Sequence, residues 1–247
     1  MYMNTTGLVL RETAYKDSSK ILTILTDSEG RLTVSARGAL RKNSKLAAVT
    51  QLLAYSEMTL VSTGADRWTL TEARSVEQFI GLRRDIVLLS LGSYFAELAE
   101  AASDEDSPSP ELLPLCLNAL FALSEGIKKP EYVKPAFELR LMVISGFSPL
   151  IAGCADCGKE DMEQSYLDIK GGMVYCREHA HPDGAPLGSG ALSAMRYIIC
   201  CDPKKFLSFN LSEPSLRELA AAVEGYLLIH MDRRFRTLDY YKSVKLR

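Results

Sequence analysis

Four residues constrain this chain more than any others. Cys154 and Cys157 form a C-x2-C pair, and Cys176 and His179 form a C-x2-H pair, with 18 residues between Cys157 and Cys176. Each pair sets two ligands on one side of a tight turn, and two such pairs close a tetrahedral site of the kind that holds a structural zinc ion. Gly158 follows the second cysteine, where a knuckle turn calls for positive φ. Tyr166, Leu167 and Ile169 then lead to Gly171-Gly172, followed by Met173, Val174 and Tyr175. This reads as a short hairpin with a glycine turn that returns Cys176 to the first knuckle. His181 is an alternative fourth ligand that needs a longer loop, and spacing favours His179. Four protein ligands leave no open position, so one structural ion is expected, not a catalytic one.

Length and charge bound the rest. A chain of 247 residues builds one large or two small domains with a sizeable core. Lys and Arg total 29 against 31 Asp and Glu, a net charge of -2, so overall charge does not announce a nucleic-acid binder. No apolar run reaches the roughly 18 residues of a membrane span, and the opening MYMNTTGLVL lacks the basic and long apolar regions of a signal peptide. Six cysteines in a chain this long do not make a disulfide scaffold, which points to a reducing cytoplasm. Cys116, Cys200 and Cys201 have no paired partner set and read as packing. There is no P-loop, no G-x-G-x-x-G after a strand, no H-E-x-x-H and no G-x-S-x-G, and no carboxylates at metal spacing suggest a nuclease. These absences run against an enzyme.

Residues 1 to 80 read as β. Strands are expected at Thr6 to Thr13, Ser19 to Thr26, Arg31 to Arg37, Gln51 to Ser62 and Arg67 to Ser75, with turns at Asp27 to Gly30 and Thr63 to Asp66. The third alternates cleanly: Leu32, Val34 and Ala36 face one way, Thr33, Ser35 and Arg37 the other. Five short strands in this length predict a small antiparallel barrel, with the OB-fold as the fitting form. From Arg11 to Lys45 there are eight basic residues (Arg11, Lys16, Lys20, Arg31, Arg37, Arg41, Lys42, Lys45) against four acids. The loop ARGALRKNSK is expected to be solvated and mobile, and a basic loop leaving a barrel strand suits a phosphate backbone. Tyr15, Tyr55 and Trp68 are candidate stacking residues.

From residue 81 the pattern turns helical. Ile86 to Ala102, Glu111 to Ser124, Glu131 to Ser145, Ser189 to Cys201 and Ser212 to Asp232 carry apolar residues at three- and four-residue spacing. Gly146 is placed to end the third of these, with Pro149 beyond. Ser103 to Pro110 is an acidic, proline-bearing loop, and His181 to Gly184 a turn. The segment from His230 to Arg247 is basic and reads either as a second phosphate-contacting strip or as a basic helix end or tail. The expected architecture is α+β: an OB-fold nucleic-acid-binding domain over 1–80, then an α-helical domain over 81–247 with a zinc-binding hairpin inserted at about 151–185 and docked on the helices.

This order of parts resembles the RecO family of bacterial DNA repair and recombination mediator proteins. TGLVLRETAYKDSSKILTILTDSEGRLTVSARGALRKNSK is similar to the family's opening, ELRLMVISGFSPLIAGCADCG to its helix, glycine, proline and first cysteine pair, and GGMVYCREH to its glycine pair and second ligand pair. His179 stands where a fourth cysteine is usual, and histidine ligates zinc equally well. The resemblance implies a non-catalytic cytoplasmic protein of the nucleoid. It would bind single- and double-stranded DNA and anneal complementary strands. With RecR it would help load RecA onto DNA coated with single-stranded-DNA-binding protein, whose acidic C-terminal tail it would grip. The expected DNA contacts are Arg37, Arg41, Lys42 and Lys45, with Lys16, Lys20 and Arg31 behind them. The competing reading is a zinc-stapled interaction scaffold whose barrel does not bind DNA.

Overall fold

The computed structural model describes residues 1–62, 64, 68–105 and 108–246. The expected turn at 63–66 lies, Gly64 apart, outside the described residues, and so do Arg67, Arg247 and positions 106–107 of the acidic loop. Five strands come first: β1 Tyr2–Tyr15, β2 Ser19–Thr26, β3 Arg31–Ala36, β4 Tyr55–Ser62 and β5 Trp68–Glu77. Helices α1 Ile80–Arg83, α2 Ile86–Ala102, α3 Leu112–Ser124 and α4 Pro130–Ile144 follow. Three short strands, β6 Gln164–Asp168, β7 Met173–Cys176 and β8 Ala185–Gly188, precede α5 Ser189–Cys200, α6 Glu213–His230 and α7 Arg236–Lys245. The chain divides into two compact units, Met1–Glu125 with Phe235–Arg247, and Gly126–Arg234.

In the first unit the five strands close a barrel in the order β1-β2-β3-β5-β4. Neighbours run antiparallel, except that β3 and β5 close the barrel in parallel through Val34 opposite Trp68 and Ser35 opposite Thr69. This is the partly Greek-key closure of an OB-fold. The alternation read in β3 is the reason it pairs: Leu32, Val34 and Ala36 enter a core shared with Val9, Leu22, Ile24, Met58, Leu60 and Leu70. β1 is longer than its apolar stretch predicts because its two halves serve different partners. Tyr2 to Leu8 pair with β4 and Gly7 to Tyr15 with β2, and the register shifts between Val9 and Arg11.

α2 begins where expected, with the Asp85 carboxylate accepting from the amides of Val87 at 2.7 Å and Leu88 at 3.3 Å. It buries Leu91, Tyr94, Phe95 and Leu98, the stripe its sequence sets out. The basic segment from His230, read either as a phosphate-contacting strip or as a basic helix end or tail, carries α7. The helix forms because Phe235, Leu238 and Tyr241 are buried against the first unit, with Phe235 edge-on to Tyr94 at 5.9 Å. The Glu97 carboxylate accepts from the Thr237 amide at 3.1 Å and so supplies the N-terminal cap.

In the second unit α4 ends as Gly146 predicts. The Phe147 amide donates to Met142 O at 2.8 Å and the Gly146 amide to Val143 O at 3.1 Å, the two bonds of a Schellman motif. Gly146 itself takes φ +83°. β6 pairs with both β7 and β8 to make a three-stranded sheet. The β6–β7 turn docks on α6, where His230 Nε2 donates to Ile169 O at 3.0 Å. Nearby the Tyr226 hydroxyl donates to Phe147 O at 3.1 Å. Among the described residues no helix is long and apolar enough to cross a membrane.

Candidate functional site

Two places bring together residues that the sequence singles out. The first is the thiol and imidazole cluster. The Cys154 to Gly158 turn is closed by the Gly158 amide donating to Cys154 O at 2.8 Å, with Gly158 at φ +71°. The second turn is closed by the His179 amide donating to Cys176 O at 3.0 Å. The Ala155 amide donates to Val174 O at 2.9 Å, which sets the first turn beside the strand that ends in Cys176. The three sulfurs and the His179 ring nitrogen lie within 4.8 Å of one another.

The separations fit a metal. Cys157 Sγ is 3.9 Å from Cys176 Sγ, and His179 Nδ1 is 3.7 Å from Cys154 Sγ and 3.2 Å from Cys176 Sγ. Sulfurs about 2.3 Å from a tetrahedral ion would be about 3.8 Å apart. A three-thiolate, one-imidazole donor set of this size suits zinc. The electrostatics favour the thiolate at Cys154 and Cys176, while the Cys157 thiol, against the pull of the Lys159 amide, is raised by its neighbours Cys154 and Cys176. Burial opposes ionisation of Cys154, but backbone amides of Cys176, Cys157 and Asp156 outweigh it and hold the thiol at about 6. Burial likewise opposes ionisation of Cys176, and its contact with His179 leads the effects that still bring it down. The sulfurs of Cys176 and then Cys154 raise His179. His181, the alternative ligand, stands edge-on to Tyr175 at 4.6 Å and is outside the cluster.

Sequence reasoning missed the residue that braces the first knuckle. Arg196 of α5 donates from Nε to Ile151 O at 2.8 Å, and from Nη2 to Ala152 O at 2.6 Å and Glu160 O at 3.0 Å. It thereby ties the chain entering the knuckle to the chain leaving it. A lone arginine on an amphipathic helix carries no signal of this in the sequence. Beside it, Pro149, Leu150, Ile151, Met173, Ile199 and Cys200 line an apolar groove of about 450 Å³. Cys116 is buried core, its thiol pushed up to about 12 by that burial, which leaves it inert.

The second place is one end of the barrel. Tyr15 pairs with Ser19 across the β1–β2 turn, and Lys20 pairs with Ala36 at the end of β3. The Leu40 amide donates to Ser18 O at 3.0 Å and pins the segment after β3 to that turn. Lys16, Arg37, Arg41, Lys42 and Lys45 therefore share this end, all exposed. Among the described residues none of the five forms an ion pair. The loop after β3 is a run of turns, closed by Arg41 N to Gly38 O, Ser44 N to Arg41 O and Ala47 N to Ser44 O. Ala39 is anchored in the barrel core.

Lys20 and Arg31 stand apart from that group. Lys20 Nζ is held by the Glu12 carboxylate and by Thr50 O, and its side chain is only 12% exposed. Arg31 sits at the opposite end of β3, donating to Glu100 O at 3.1 Å and paired with Glu105 at 3.5 Å. Of the candidate aromatics, Trp68 packs against the barrel core, Tyr55 is half-buried in β4, and Tyr15 is exposed at the basic end.

The family model described as recombination protein O N terminal matches residues 1–79, and that described as recombination protein O C terminal matches residues 83–239. Together with the barrel this defines an OB-fold protein of DNA repair and recombination. Proteins named DNA repair protein RecO are similar along nearly the full length. That of Acetivibrio thermocellus is 30% identical over 98% of this chain and 97% of its own. That of Symbiobacterium thermophilum is 31% identical over 98% and 97%, and that of Heliobacterium modesticaldum 31% over 96% and 88%. The chain belongs to the RecO family of DNA repair proteins.

Proposed function

We propose that this protein is a recombination mediator that binds single- and double-stranded DNA through the basic end of its barrel and anneals complementary strands. In this reading it works with RecR to load RecA on DNA coated with single-stranded-DNA-binding protein, in the cytoplasm at the nucleoid. The observation that carries the reading is the group of five cations, Lys16, Arg37, Arg41, Lys42 and Lys45, gathered at one end of an OB-fold without carboxylate partners among the described residues. Cations in that position track phosphates without reading sequence. Annealing then needs neutralised backbones and free base edges, and no bond chemistry. Lys20 and Arg31 are left out of this interface, since each is already neutralised.

The zinc ion is assigned to Cys154, Cys157, Cys176 and His179, where it would hold the hairpin against its knuckles as a structural element. The acidic tail of single-stranded-DNA-binding protein is assigned to the apolar groove lined by Leu150, Met173 and Ile199, with Arg196 beside it. The test of the DNA reading is fluorescence anisotropy of a labelled single strand titrated at several salt concentrations. Each phosphate neutralised contributes about 0.7 to the slope of log K against log salt on single strands, so replacing Arg37, Arg41 and Lys42 with alanine should flatten it by about 2. An unchanged slope would remove the phosphates from this end. Absence of any binding at low salt would favour the zinc-stapled scaffold.

A further inference from the structure

We infer that Tyr15 is a stacking platform for an unpaired nucleobase at the tip of the β1–β2 hairpin. The inference rests on the nucleic-acid reading of the barrel's basic end and adds which part of the nucleic acid is gripped there: the face of a base, besides the phosphates.

Three aromatic side chains are candidates for this role, and the fold separates them. Trp68 is spent on the barrel core. Tyr55 is half-buried, at the start of β4 between Leu8 of β1 and Glu77 of β5. Tyr15, the last residue of β1, is 47% exposed. A singly exposed aromatic ring is ordinary on a protein surface. This one is distinguished by its surroundings. Lys16 follows in a left-handed conformation, φ 54°, which turns its Nζ back to 5.3 Å from the Tyr15 ring centroid. A cation at this distance orients the ring electrostatically and sets a positive charge within one nucleotide of a stacked base. The bond from Leu40 N to Ser18 O holds the segment bearing Arg37 and Arg41 to the same turn.

An exposed, oriented ring beside backbone-tracking cations is the arrangement by which barrels of this kind hold single strands. Tyrosine supplies it with little entropy to lose, having only two side-chain torsions. A base inside a duplex has both faces covered by its neighbours, so a stacking contact is open only to an unpaired base. Lys16 and Arg41 meet either form of DNA, whereas Tyr15 discriminates in favour of the single strand.

The experiment compares anisotropy titrations on two labelled oligonucleotides of equal length, a run of thymidines and the same backbone built from abasic tetrahydrofuran residues. Wild type should bind the thymidine strand more tightly. Tyr15→Ala should weaken thymidine binding about five- to hundredfold while leaving abasic binding unchanged. Tyr15→Phe should restore the thymidine affinity, and Arg41→Ala should weaken both strands alike. A Tyr15→Ala variant that is unchanged on both strands, or equally weakened on both, overturns the stacking role while the phosphate reading stands. If wild type binds neither strand at low salt, the nucleic-acid reading fails and the stacking role falls with it.

Discussion

Lys134 carries its charge in near-complete burial, and two carboxylates make that tolerable. Its Nζ lies 2.7 Å from Glu138, which is 0% exposed, and 2.8 Å from Glu224 of α6. Removing one member of such a group strands the others in a poor solvent. Lys134→Met should therefore lower stability by about 3–5 kcal/mol, read by urea unfolding at neutral pH. Burial works against the ammonium, but the charges of Glu138 and Glu224 overcome it and raise the pKa. A cation with a raised folded pKa contributes fully below its unfolded value of about 10.4 and loses that contribution as pH rises through the folded value. The gap between wild type and Lys134→Met should hold at neutral pH and narrow only in strong alkali. A gap that stays constant into strong alkali would show that charge is not the source. Charges also mark where sequence reasoning reaches its limit. Arg37, Arg41, Lys42 and Lys45 could be picked out because four bases without an acid form a local run. Lys20 and Arg31 look the same in the sequence, yet register brings Glu12 beside Lys20, and the chain just beyond α2 brings the Glu105 carboxylate to Arg31.

The cysteine and histidine cluster was legible for a different reason: its members are brought together by spacing within two tight turns, not by long-range packing. The third strand of its sheet was not. Ala185–Gly188 contains a proline and a glycine in four residues and no alternation, so only pairing with β6 makes it a strand. The same distinction explains α7, whose charges dominate its pattern and whose buried residues, Leu238 and Tyr241, are too few to show a period. The hairpin also has a defined pH response. Metal binding needs Cys154, Cys157 and Cys176 as thiolates, and protons compete for them. The metal should stay bound at neutral pH and be released only as acid protonates the thiolates, measured with a colorimetric zinc indicator after gel filtration. Cys176→Ser removes one of the two buried thiolates and should leave substoichiometric zinc at neutral pH. Full retention in that variant would mean the ion is held elsewhere.

At the level of the whole chain, the linear order of parts and the compact units do not coincide. The family models part at residues 79 and 83, whereas the first compact unit runs on through α3 and takes up α7 from the far end of the sequence. Composition changes near residue 80, which is why a boundary is legible there. Return of the last helix depends on Phe235 meeting Tyr94 and Thr237 meeting Glu97, contacts that no local pattern announces. The consequence can be measured with two readouts, one for each unit. Trp68 is the chain's only tryptophan and packs on the barrel core, so its fluorescence reports the first unit. Zinc content, with the ion assigned to Cys154, Cys157, Cys176 and His179 as proposed, reports the second. A chain ending at Arg234 loses the burial of Phe235, Leu238 and Tyr241. At about 1.5–3 kcal/mol for each large buried side chain, that loss is comparable with the whole stability of a small domain. The Trp68 unfolding midpoint in urea should fall sharply while zinc remains stoichiometric. Loss of zinc together with the Trp68 signal would show that the two units stand or fall as one. An unmoved Trp68 transition would mean that α7 adds little to the unit it packs on.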